Sequence, residues 1–158
     1  MADGITHARF NTGALIALGA GCTVLYGLYG QPQEIFFILP GALLSYFVDP
    51  DMMDQHQVTT HGERRLYKIF WPLGFIIECY MYPLAKLLSH RSIFSHLPGL
   101  NSLVRLLYLF GPMLYCLYGS QVFIDLWTNY YNVLIMLYLG SVIMDTMHAL
   151  LDKFNFVW

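Results

Sequence analysis

LYKIFWPLGFIIECYMYPLAKLL, Leu66 to Leu88, is the stretch whose reading decides the fold. It is apolar enough to cross a bilayer, which takes roughly 20 residues of helix. Yet it holds three charged residues, Lys68, Glu78 and Lys86, and two prolines, Pro72 and Pro83. Ionisable groups at membrane depth are expensive, and an internal proline costs a helix one hydrogen bond. The segment is therefore expected to be re-entrant or interfacial, and the topology of the whole chain depends on that choice.

Upstream, Phe10 to Tyr29 has no charged residue and is long enough to span. It reads as an uncleaved anchor, too long for the apolar part of a secretory signal. Gly13, Ala17 and Gly21 recur every four residues, a spacing that lets helices approach closely in lipid. After a GQPQ turn (Gly30 to Gln33), a second apolar run, Ile35 to Val48, is short and contains Pro40. Such a span ends below the membrane surface or forms a broken helix. The polar loop from Asp51 to Arg65 follows. Downstream, Leu103 to Tyr118 is a cleaner span with Gly111 and Pro112 as a kink, and Val122 to Met147 is the longest. Trp127, Tyr130 and Tyr131 near its start suit an interfacial aromatic belt.

If Leu66 to Leu88 crosses, His90 and His148 lie opposite His7 and Asp51. If it does not cross, the N-terminus, the Asp51 to Arg65 loop, His90 and His148 all fall on one side. In that second case all eight Lys and Arg residues sit on the N-terminal side, whereas the turns around Gln31 and Gln121 have none. The positive-inside rule makes that side cytoplasmic. The expected fold is all-α: an integral membrane helical bundle of about four spans plus a re-entrant or interfacial segment, with residues 1–158 forming one membrane-embedded domain.

Composition agrees. Hydrophobic residues make up 57% and charged residues 11%, against about 25% charged in soluble domains. A net charge of −2 and the lack of a basic tract argue against nucleic-acid binding. Cys22, Cys79 and Cys116 lie far apart in apolar runs and read as small buried hydrophobes.

The chemistry lies in four separated segments. HRSIFSH (His90 to His96) holds two imidazoles and Arg91. Six residues apart, His90 and His96 cannot share a helical face and need a turn, which Pro98 and Gly99 suit. Ser92 and Ser95 could orient them, and Arg91 suits a phosphate or carboxylate or a topology anchor. HALLD sets His148 and Asp152 at i and i+4 on one helical face, with Asp145 at i−3. Taken alone, HALLD reads first as a frayed cytoplasmic helix end, but Asp145 sits among Val142, Ile143, Met144 and Met147, where a carboxylate needs a partner. VDPDMMD offers Asp49, Asp51 or Asp54, and His7 follows the short polar N-terminus. His56 and His61 read as solvated. Imidazoles and carboxylates are the usual ligands of zinc and similar metals.

MADGITH, DPD, HRSIFSH with a following RLLYL, and the terminal HxxxD together resemble a family of metal-binding integral membrane proteins of unknown function, similar to the YdjM-like membrane-bound metal-dependent hydrolases. The resemblance runs through nearly the whole chain in order. It implicates His7, Asp51, His90, His96, His148 and Asp152 as metal ligands. The acidic motif reads DPDMMD rather than PDxD, which leaves the second acidic ligand unassigned.

The leading expectation is a membrane-bound metal-dependent hydrolase of a lipid phosphoester. It would hold one or two divalent ions, zinc first, with Asp145 or Asp49 as general base and Arg91 on the phosphate. Its partners would be membrane lipids. The alternative is a non-catalytic metal-binding protein, a homo-oligomer or a structural subunit of a larger membrane complex. A transporter is disfavoured, because no two spans carry ionisable residues at mid-depth on this reading.

Overall fold

The computed structural model describes residues 4–48, 61–87 and 97–154. Helix α1 (Gly4–Tyr29) turns into a 3-10 helix (Gln33–Phe37) that runs directly into α2 (Ile38–Phe47). Then come α3 (His61–Leu87), α4 (Leu100–Tyr118) and α5 (Gln121–Phe154), with no strand among the described residues. The all-α expectation holds. Among the described residues, three segments, Arg9–Tyr29, Leu100–Tyr118 and Gln121–Leu151, are long and apolar enough to cross a membrane. Helix α5 has 34 residues and is kinked at Tyr130 (φ −132°, ψ 22°), so its two parts together hold about 50 Å of helix, more than a ~30 Å hydrocarbon layer needs.

The surface is inverted relative to that of a water-soluble bundle. Leu28 and Ile16 are 78% and 70% exposed, whereas Arg105, Ser102 and Ser141 are 0% exposed. Isolated hydroxyls on the helices are satisfied by their own helix. Thr23 donates to the Gly19 carbonyl at 2.9 Å, Thr128 to Ile124 at 2.8 Å and Thr146 to Val142 at 2.7 Å. That is what an environment without water requires of polar groups.

Helix directions follow from named contacts. Thr12 meets Tyr46 at 3.2 Å, while Cys22 donates to the Ile35 carbonyl at 3.6 Å, so α1 and α2 are antiparallel. Ser45 lies further along α2 than Gly41, as Asp145 lies further along α5 than Leu137. Gly41 faces Leu137 and Ser45 faces Asp145, so α2 and α5 run parallel. Helix α4 returns into α5 through Gly119, whose φ of +72° favours glycine. The N-terminal end of α1, the C-terminal end of α2 and the N-terminal end of α4 therefore meet the C-terminal half of α5 at one end of the bundle.

The α2–α5 crossing is a backbone-to-backbone contact. A Cβ at Gly41 would stand 1.9 Å from the Leu137 carbonyl oxygen, and one at Gly140 would stand 2.0 Å from that of Ile38. The Ser141 hydroxyl donates to the Gly41 carbonyl at 2.9 Å. The stripe of small residues expected to pack behaves differently: a Cβ added at Gly13 or Gly21 would meet nothing within 4 Å. It lies on the outer face of α1, because the inner face carries Asn11, Leu15, Leu18 and Cys22.

Helix α3 bends at Phe70 (φ −154°, ψ 86°). Two residues on, Pro72 has no N–H for the Lys68 carbonyl, and its ring crowds that turn. The C-terminal half is docked. Met81 and Leu84 pack with Val48, just after α2, against Val104 and Tyr108 of α4. Tyr80 donates to the Tyr108 carbonyl at 2.6 Å, and Tyr108 donates back to the Tyr80 carbonyl at 2.9 Å. Around the bend, Ile69, Phe70 and Trp71 are exposed.

Candidate functional site

Asn101, Ser102 and Arg105 fall at i, i+1 and i+4 on α4, so they form one polar stripe on an otherwise apolar helix. On α5 the inner stripe runs Gly140, Ser141, Met144, Asp145, His148 and Leu151, all buried. On α2, Ser45 is the buried hydroxyl one turn beyond Gly41. These three stripes meet at Asp145.

Four side chains from two neighbouring helices donate to that carboxylate. Ser45 reaches Oδ1 at 2.6 Å, and Arg105 Nη2 stands 2.9 Å from both oxygens. Asn101 Nδ2 reaches Oδ2 at 3.1 Å, and the Ser102 hydroxyl also donates to Oδ2. Arg105 Nη2 donates to the Ser45 hydroxyl as well. Both ions of the Arg105–Asp145 pair are withdrawn from solvent, at 0% and 1% side-chain exposure. Arg105 uses a single nitrogen here, and its Nε and Nη1 find no hydrogen-bond partner among the described residues.

Sequence alone does not reveal this junction. There Arg105 counts as a flanking charge on the N-terminal side; in the fold it is the buried partner that Asp145 needs. Helices α4 and α5 each supply one buried ionisable residue to the junction. A local signal exists. The i, i+1, i+4 spacing of Asn101, Ser102 and Arg105 marks an inward polar face, and a lone Ser45 in an apolar run marks its counterpart.

Of the expected metal ligands, His148 is buried at 6% exposure, one turn beyond Asp145 towards the C-terminal end of α5. Asp152 lies one further turn along the same helix. His7 lies on α1, one turn before Asn11 of its inner stripe. Asp49, Asp51, Asp54, His56, His90, Arg91 and His96 lie outside the described residues. Among the described residues, no three His, Cys, Asp or Glu side chains group as metal ligands. The fit to a divalent cation therefore rests on the donor set and its placement. A buried imidazole stands at the bundle end that carries the start of α1, the end of α2 and the start of α4. The DPDMMD motif follows Val48 directly in sequence, and HRSIFSH directly precedes Leu97.

No protein-family model, curated protein or solved structure matches the chain. What the described residues define is an all-helical arrangement with three helices long and apolar enough to cross a membrane, organised around a buried ion pair.

Proposed function

We propose that this protein is a membrane-bound metal-dependent hydrolase acting on a phosphoester at lipid-headgroup depth, in keeping with its resemblance to the YdjM-like group. The observation that carries the reading is the gathering of helix ends at the buried His148. His7, Asp51, His90, His96 and Asp152 each belong to, or adjoin in sequence, an element that reaches that end. These residues would hold one or two divalent ions, zinc first. A bound zinc would supply Lewis acidity towards water and a phosphoryl oxygen.

Asp49 is the better general base of the two carboxylates considered, because both oxygens of Asp145 are already engaged by donors. Arg91 would hold the phosphate through its planar fork of N–H groups. In this reading α2 with its 3-10 lead-in is a fourth, short crossing, and α3 lies at the interface, its exposed Ile69, Phe70 and Trp71 against lipid. That arrangement keeps every candidate ligand on one side, the cytoplasmic one by the distribution of Lys and Arg.

The buried ion pair also favours a second reading. A charge pair closed by protein donors suits a structural subunit, alone as a homo-oligomer or within a larger membrane assembly, whose metal is structural. Metal analysis of the purified chain, followed by assay against phospholipids and soluble phosphodiesters, separates the two. The hydrolase reading expects bound metal and turnover that falls in Arg91→Ala without loss of metal. Bound metal with no turnover across the panel would leave the structural reading standing.

A further inference from the structure

We propose that the first part of α5, Gln121 to Tyr130, is a membrane-surface helix. It lies in the headgroup layer at the end of the bundle away from the ion pair, and its partner is a phospholipid surface. The proposal is independent of the metal-site reading, which concerns the opposite end of the bundle.

Three observations carry it. The first is length. Arg105 and Asp145 are in contact, so they share one level of the bundle, and α4 and α5 run from that level to the same far end. Thirteen residues beyond Arg105, α4 ends at Tyr118, and fifteen residues before Asp145 stands Tyr130. At a rise of about 1.5 Å per residue, both lie about 20 Å from the ion pair. Only Gly119 and Ser120 separate α4 from α5, so Gln121 starts near the level that Tyr130 occupies. The helix between them holds about 15 Å. With both ends at similar height, it must run largely across the bundle axis. Tyr130, with its non-helical φ of −132° and ψ of 22°, is where the chain turns. The rest of α5, up to Leu151, holds about 30 Å of helix and crosses a hydrocarbon layer unaided.

The second observation is pattern. Gln121, Asp125 and Thr128 fall at i, i+4 and i+7 on one face, and Phe123, Leu126 and Trp127 at i, i+3 and i+4 on the opposite one. A helix divided in this way rests with its apolar face in the headgroup–acyl boundary and its polar face in water. The third is exposure. Asp125 is exposed, and it is the only Asp, Glu, Lys or Arg between Arg105 and Asp145. A carboxylate at hydrocarbon depth needs a partner of the kind that Asp145 has. Asp125 instead accepts a hydrogen bond at 3.3 Å from Gln121, its neighbour on the polar face. Trp127 and Tyr130 are 64% and 57% exposed, and such rings favour the headgroup level. With no Lys or Arg in this segment, the surface that suits it is neutral phospholipid rather than anionic.

The test reconstitutes the full chain carrying Trp71→Phe and Trp158→Phe into phosphatidylcholine vesicles. The lipids bear bromine either near the headgroup or near the bilayer centre. Trp127 is then the sole tryptophan. It should be quenched several-fold more by the shallow bromines than by the deep ones, and little by aqueous iodide. Stronger quenching by the deep bromines would make the segment part of the crossing helix. Quenching by iodide alone would make it a tip projecting into water, and protection from all three would mean that protein, such as a second copy of the chain, covers it. Each of these results overturns the proposal. A second measurement leaves Trp71 and Trp158 in place. With Cys22, Cys79 and Cys116 replaced by alanine, Gln121→Cys, Asp125→Cys and Thr128→Cys should react with an impermeant maleimide several-fold faster than Phe123→Cys, Leu126→Cys and Trp127→Cys. Equal rates around the helix would also overturn it.

Discussion

Two small-residue stripes in this molecule look alike in sequence and behave differently in the fold. Gly13, Ala17 and Gly21 on α1 recur every four residues, as Gly41 and Ser45 do on α2. The first stripe faces outward with nothing near its glycines, whereas Gly41 touches the backbone of α5. Small residues permit close approach between helices in lipid, but they do not select the partner. The selection here comes from polar groups next to the glycines. Ser141 donates to the Gly41 carbonyl, and Ser45 joins Arg105 at Asp145. On α1 the equivalent polar contacts, Thr12 to Tyr46 and Cys22 to Ile35, lie on the opposite face.

The sharpest way to break that contrast is to fill the seam. Gly140→Leu places a side chain where a Cβ alone would be 2.0 Å from the Ile38 carbonyl oxygen. Helices α2 and α5 must separate, and the folded protein is expected to be lost altogether, read as the absence of a monodisperse peak in mild detergent. A milder change is Asp145→Ala, which leaves Arg105 buried without its counter-charge. It should destabilise by about 3–5 kcal/mol, the usual cost of breaking a buried pair from one side. Unfolding titration in mixed micelles measures it, and Arg105→Met with Asp145→Leu should recover most of the loss. Ser141→Ala removes one interhelical hydrogen bond and should cost about 0.6 kcal/mol, the average for such bonds in a membrane helix bundle. Gly13→Ala, on the open stripe, should stay within about 0.5 kcal/mol of wild type. An effect of Gly13→Ala as large as that of Ser141→Ala would mean that the outer face of α1 is packed after all.

Much of the architecture is legible in the sequence. The charge-free run of α1, the short second apolar run with Pro40 and the long last helix all announce themselves by length and composition. Pro40 sits in the first turn of α2, where a missing N–H costs little. The bend at Phe70 follows from Pro72. The pairing of helices is not legible, because lipid-facing and protein-facing surfaces are equally apolar and hydropathy cannot tell them apart. For the same reason Arg105 passes for a flanking charge. The need of Asp145 for a partner is plain from its apolar neighbours, but the identity of that partner is a long-range contact that no local pattern encodes. Of the proposed metal ligands, His148 is legible in the sequence, and the structure adds what lies beside it: a polar junction one turn away.

The start of α1, the end of α2, the start of α4 and the end of α5 share one end of the bundle, and the proposed topology puts that end on the cytoplasmic side. Single-cysteine labelling in intact cells tests this most directly, in a background with Cys22, Cys79 and Cys116 replaced by alanine. Cysteines at Gln31 and Gln121 should react with an impermeant maleimide added from outside. Cysteines at Gly4 and Phe154 should react only after permeabilisation. Outside labelling at either Gly4 or Phe154 together with Gln31 would put the helix ends on opposite faces and contradict the account.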